Sequence, residues 1–174
     1  MPDASQGERP TLHGPRVKLV PTEPAHHSRL RELHSIPSIR RWWRMPSPSW
    51  PNDVDGFPYT IFVGDHIVGF IQWYAEDDPD YRHAGIDVFI DPEEHGNHYG
   101  RESIQVLCAH LVDTHRFHRI IIDPEATNEQ AIRSYIKVGF RPIGVMRQYS
   151  RGEDGVWRNG LLMDLLAPEL VRVQ

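Results

Sequence analysis

Cysteine is almost absent from this chain. Cys108 is its only one, so no internal disulfide can form and a reducing cytoplasm is the expected setting. No Cys-x-x-Cys pair and no His-Glu-x-x-His helix occurs, which removes the usual zinc patterns, and no metal is expected. No apolar run is long enough to cross a bilayer, so no membrane partner is expected. Met1–Arg9 is polar and lacks an apolar h-region, so a secretory leader is not expected. Excess positive charge is also missing. The formal net charge of −5 disfavours a nucleic-acid partner and suits a cationic substrate.

What is present describes an ordinary globular protein. The length of 174 residues fits one compact domain able to bury a core without disulfides or a structural metal. We expect a tail over residues 1–15, polar and proline-bearing, then a single domain over residues 16–174. The eleven histidines are scattered without ligand spacing, and an exposed or capping role suits them best.

Patterning orders the domain as β-αα-βββ-α-β-α-ββ. Arg16–Val20 alternates apolar and basic residues, as a strand does. Thr22 is placed to cap a helix running to His34, and Ser38–Arg44 forms a second short helix. The proline-rich stretch Met45–Pro58 reads as a surface loop. Tyr59–Val63 and His66–Tyr74 flank Gly64-Asp65 as a hairpin. In the strand His83–Ile90, Ile86, Val88 and Ile90 fall on one face, Asp87 and Phe89 on the other. Ile104, Leu107, Cys108, Leu111 and Val112 form the apolar stripe of an amphipathic helix. Arg119–Ile122 is a buried strand, and Asn128–Val138 a helix ended by Gly139. Phe140–Tyr149 and Val156–Leu166 close the chain as strands. The expected class is α/β: a mixed, mostly antiparallel sheet of six to seven strands with helices on both faces.

Three places can carry chemistry. Between the strand at Asp87 and the helix after Gly100 lies His95-Gly96-Asn97-His98-Tyr99-Gly100. Free N–H groups at a positive helix end suit a phosphate there, although two glycines before a helix equally suit a plain tight turn. Asp87 interrupts an apolar strand, so its carboxylate must be paired, solvated in a cleft or protonated. An ion pair with Arg82 satisfies that, and so does a cleft that holds or deprotonates an amine. Tyr135 lies on the inner face of its helix, where a phenol is either core or a proton donor.

Several segments resemble the GNAT superfamily, and within it the aminoglycoside 6'-N-acetyltransferase-like branch. They are Gly85-Ile86-Asp87-Val88-Phe89-Ile90, Ile122-Asp123-Pro124-Glu125-Ala126-Thr127-Asn128 and the Ala131–Phe140 stretch with Tyr135 and Gly139. Trp42-Trp43, Gly69-Phe70-Ile71-Gln72 and Gly160–Leu166 fit as well. The likeness runs from about Arg16 to Leu170. It implies an N-acetyltransferase that uses acetyl-CoA as acyl donor, without a metal or a covalent enzyme intermediate. The implied acceptor is a small-molecule amine, cationic and aminoglycoside-like; the implied assembly is a monomer or homodimer. A polyamine, a siderophore precursor or a protein N-terminus as acceptor, or a silent ligand-binding domain, stands as the alternative.

By the same resemblance Asp87 takes the proton from the amine and Tyr135 gives one to the leaving thiol. Val88, Phe89 and Ile90 lie along the thioester. His95, Gly96, Asn97, His98, Tyr99, Gly100 and Arg101 hold the pyrophosphate, and Asn128 and Ala131 also contact the cofactor. Trp42, Trp43, Gln72, Tyr74, Asp87 and Asp123 face the acceptor, with Glu76–Asp80, Asp53 and Asp55 as an acidic rim. The family's Arg/Gln-x-x-Gly-x-Gly/Ala loop is altered here, because His95 and His98 stand where a basic or amide residue and a glycine belong.

Overall fold

The computed structural model describes residues 9–174. Its strands are β1 Leu12–His13, β2 Val17–Pro21, β3 Phe57–Val63, β4 His66–Glu76, β5 His83–Ile90, β6 Arg119–Ile122, β7 Arg141–Arg151 and β8 Trp157–Leu166. They form one sheet in the order β1-β2-β3-β4-β5-β6-β8-β7. The helices are α1 His27–His34, α2 Pro37–Trp43, α3 Tyr99–Asp113 and α4 Glu129–Val138. Among the described residues the pairing of β5 with β6 is parallel and every other strand pair is antiparallel.

The alternation read in β5 divides the core. Ile86 packs with Leu107, Cys108 and Leu111 of α3 and with Tyr135 and Val138 of α4, and Val88 and Ile90 lean on the same cluster. Phe89, on the other face, packs with Leu30 and Leu33 of α1, Ile39 of α2, and Phe70 and Trp50. Helices therefore cover both faces of the sheet. Ile104, Leu107, Cys108 and Leu111 are buried as their spacing requires.

Several boundaries move for local reasons. Part of the expected tail lies on residues 1–8, outside the described residues. Beyond them Leu12–His13 pairs with Lys18–Leu19 as an added strand. The turn is closed by Gly14 N–H donating to Val17 O, and Glu102 accepts from the Arg16 and Val17 N–H groups. Among the described residues the sheet therefore has eight strands where six to seven were expected. Thr22 does not cap a helix. Its hydroxyl shares a 3.0 Å hydrogen bond with Thr60, and a short turn over Pro24–His26 precedes α1. The amphipathic helix starts earlier than its apolar stripe, at Tyr99, because its first turn is polar.

Four histidines are ordered into the fold rather than left on its surface. His26 and His34 are buried. His34 packs against Trp43, Trp50 and Phe89. The Nε2 atoms of His110 and His115 stand 3.2 Å apart, with room for one proton between them. Burial first of all pushes all four below the usual imidazole range. An unfolded chain takes up protons at these rings near pH 6.5 that the folded chain refuses, so their contribution to stability is lost as pH falls through that value. Calorimetric melting is expected to give a lower Tm at pH 5.5 than at pH 7.5. A Tm that rises on acidification would mean that these rings protonate freely in the folded state.

Candidate active site

The parallel junction opens the sheet. β5 and β6 are in register only at Ala84–Ile120 and Gly85–Ile121. Beyond Gly85 the strands part, leaving one backbone edge of Ile86–Ile90 without a strand partner. A cleft of about 860 Å³ occupies that gap, a size suited to a small molecule. Strand ends beside a parallel crossover are where α/β sheets bind ligands.

Asp87 and Asp123 both line the cleft. Gln72 Nε2, its cross-strand partner, donates to Asp87 Oδ2 at 2.9 Å. Burial pushes the Asp87 carboxyl above the usual carboxylate range. The Gln72 bond holds it back, and the charge of Asp123 adds to the rise. Arg82 is not its partner. That guanidinium donates to the His115 and Arg116 carbonyls and lies over the Phe117 ring. Asp123 follows the end of β6 and accepts a hydrogen bond from the Tyr149 hydroxyl. Tyr135 projects from α4 into the cleft and is 8% exposed. Burial, then the charges of Asp87 and Asp123, push its phenol up, so it stays protonated near neutral pH.

The other end of the cleft is built on the start of α3. His98 precedes the helix at φ 66° and Gly96 has φ 90°, both left-handed. The Tyr99, Gly100 and Arg101 N–H groups, in the first turn of α3, have no intrahelical partner and lie at the positive helix end. His98 thus keeps a backbone conformation that glycine adopts most easily. Arg101, Arg133 and Lys137 also line the cleft and add positive charge. Val88, Phe89, Ile90, His95, Tyr99 and Ala131 line the cleft with them. Asn128 does too, with its Oδ1 accepting from the Ala131 N–H as the cap of α4.

Some candidates stand elsewhere. Asn97 is outside the cleft lining; its carbonyl accepts from Arg16 and its amide donates to Glu94. Gln72 and Tyr74 do not line the cleft either. Gln72 stands behind Asp87, and the Tyr74 ring lies over Gly85, where any side chain would collide with it. Trp42 and Trp43 divide their tasks. Trp43 is wedged against Phe89 and His34, whereas Trp42 is 40% exposed under the Arg41 guanidinium. The expected acidic rim is not there. The turn after β4 lies at the start of β5, away from the open half of that strand, and Asp53 accepts from Ser47 and Ser49. Two arginines of α2 are engaged in ion pairs: Arg41 is bidentate to Glu125, and Arg40 reaches Glu153 at 2.7 Å. Glu125, Tyr149, Ser150, Arg133 and Lys137 line the cleft and were not among the expected site residues. The Arg133–Lys137 spacing of one helical turn was the readable hint.

One cleft beside the split in the sheet thus brings together a helix N-terminus, two carboxylates and a phenol. The sequence profile of the acetyltransferase (GNAT) family matches residues 23–140. The chain belongs to that family and is an acetyltransferase, and enzymes of the family use acetyl-CoA. Solved structures share the fold. A putative acetyltransferase from T. thermophilus has 21% identity and a TM-score of 0.81, covering 94% of this chain and 93% of that one. A GNAT-family acetyltransferase from Bacillus anthracis has 15% identity and a TM-score of 0.80, covering 91% and 99%. The spermidine N-acetyltransferase from Vibrio cholerae in complex with CoA and spermine has 17% identity and a TM-score of 0.77, covering 90% and 98%. The aminoglycoside branch finds no support among these neighbours. No curated protein matches the sequence.

Proposed function

We propose that this acetyltransferase carries acetyl from acetyl-CoA to a primary amine of a small polycationic acceptor, an amino sugar of the aminoglycoside type. The observation that carries the reading is the pair Asp87 and Asp123, brought from two parting strands to one cleft. Two carboxylates sharing one cleft repel one another unless a cation lies between them. The exposed face of Trp42 suits a sugar-like ring. A linear polyamine is the second reading, favoured by the fold neighbour that binds spermine.

Acetyl-CoA supplies the acetyl thioester. The N–H groups of Tyr99, Gly100 and Arg101 suit its pyrophosphate, and Arg133 and Lys137 suit its other phosphate. The unpaired edge of Val88–Ile90 presents backbone N–H groups to the oxyanion. Asp87 holds the ammonium, whose unperturbed pKa is roughly 10, and takes its proton before attack. Tyr135 gives a proton to the departing thiolate. The test is thiol release from acetyl-CoA across aminoglycosides, polyamines and peptide amines. Turnover with peptides alone would overturn the small-acceptor reading, and no turnover with any amine would overturn it entirely.

His98 offers a separate check of the cofactor loop. His98→Gly removes a left-handed side chain whose strain is on the order of 1 kcal/mol. The expected result is a higher Tm and a calorimetric Kd for CoA that is tighter than wild type. A lower Tm with weaker CoA binding would show that the imidazole makes contacts of its own.

A further inference from the structure

The residue that closes the acceptor end is Tyr149, and its place is built by several independent features. The pairing of β7 with β8 breaks between Met146 and Ser150, so Tyr149 belongs to a bulge. Bulges re-aim a side chain out of the strand's alternation. Gln148 takes φ 50° inside the bulge, and Asn159 Oδ1 accepts from the Gln148 N–H at 2.9 Å, which satisfies the freed backbone. The Tyr149 ring then lies on Gly160. A methyl group at position 160 would stand 2.7 Å from Tyr149 Cδ1. From that seat the hydroxyl donates to Asp123 Oδ2 and lines the cleft with Asp87.

Asp123 is held by the same strand. Leu161 N–H donates to Pro124 O and Ala126 N–H to Asn159 O, each at 2.8 Å. Gln148, beside Tyr149, and the segment after Asp123 are thus both tied to β8 at Asn159. The hydroxyl uses one carboxylate oxygen and leaves the other open. Its own oxygen, the donor in that bond, can still accept a hydrogen bond. A primary ammonium has three N–H donors, which a lone carboxylate oxygen cannot satisfy.

We propose that Tyr149 is a specificity-determining residue for the acceptor: with Asp123 it forms a two-oxygen seat for a second ammonium group, remote from the amine that is acetylated. The proposal rests on the small-polycation reading above. It assigns Asp87 to the reacting amine and the Tyr149–Asp123 pair to the distal one, so the enzyme favours diamines, polyamines and amino sugars over monoamines. The hydrogen bond to Asp123, burial and the charges of Asp123 and Asp87 push the Tyr149 phenol up to about 12. It thus stays a donor to Asp123 across the working pH range.

The experiment compares kcat/KM for a diamine and a monoamine of equal chain length, in wild type and in Tyr149→Phe. The wild type is expected to prefer the diamine, and the variant to lose about tenfold of that preference through KM, the size of one charge-assisted hydrogen bond. Gly160→Ala, which displaces the ring and keeps the hydroxyl, is expected to lose the preference too. If Tyr149→Phe lowers kcat/KM equally for both acceptors, or leaves the ratio unchanged, the proposal is overturned while the small-amine reading stands. If the wild type turns over neither amine and no amino sugar, the reading fails and the proposal falls with it.

Discussion

Asp87→Asn is expected to lower kcat/KM by roughly 10²–10⁴, the range of a lost general base, while the protein keeps its fold and melts no lower at pH 7.5. The two halves of this result have one cause. Asp87 sits on a strand in which Ile86 and Phe89 are buried, and burial holds its proton affinity above that of a free carboxylate. A raised carboxylate is most favourable to the fold below its unfolded pKa, near 4, and that contribution is lost as pH rises through the folded value. At neutral pH the ionised group is therefore a liability that the fold tolerates for its chemistry. Asparagine keeps the shape and still accepts from Gln72 Nε2. It removes the charge that an ammonium needs and the site that takes its proton. The activity profile follows with the same sign: kcat/KM of the wild type falls on the acid side as Asp87 becomes protonated. A variant that turns over normally would make Asp87 a structural residue. A variant that melts well below wild type at neutral pH would show the ionised form to be stabilised in the fold.

How far this site could be read in advance differs from residue to residue. Asp87 was legible because a carboxylate inside an apolar strand violates the pattern around it, and one face of β5 is fixed by the period of two. Asp123 and Tyr135 were legible through resemblance more than through physics, since an acidic residue after a strand and a tyrosine on a helix's apolar face have ordinary structural uses. The left-handed turn at position 98 was legible as a requirement, and histidine meets it with φ 66°. Tyr149 was not legible. Its role depends on a bulge, on the bare surface of Gly160 and on Asp123, 26 residues away in sequence, and none of these leaves a local signature. The acidic rim failed for a related reason. Composition gathers Glu76–Asp80 with Asp87 into one negative region, but the hairpin sends the turn to the opposite end of β5. The helix at Thr22 failed because a threonine before a helix can cap it or pair sideways, and Thr60 on the adjoining strand decided for the second.

Tyr135→Phe is expected to lower kcat by roughly 10²–10⁴ at pH 7, with the loss shrinking as pH rises or as the leaving thiol becomes more acidic. Tyr135 is held by α4 on the inner face beside Val138, with the Phe140 ring 6.3 Å away. Its phenol makes no hydrogen bond among the described residues. Removing the hydroxyl thus leaves no buried partner unsatisfied, and stability should change little. The chemistry is more exacting. A thiol of cysteine-like pKa, roughly 8.5, departs from the acyl carbon as a thiolate unless a proton arrives with it. Burial and the charges of Asp87 and Asp123 keep Tyr135 protonated at neutral pH, so it is a donor by default and never competes as a base with Asp87. The two groups are tuned in one direction: each is pushed up, and only the carboxylate is pushed from below neutrality. A donor whose thiol has a pKa well under 7 leaves unaided, and with it the variant should approach the wild-type rate. That convergence separates proton donation from packing. If Tyr135→Phe is equally slow with acidic and ordinary thiols, the hydroxyl acts by positioning the thioester. If it is fast with both, Tyr135 belongs to the core alone.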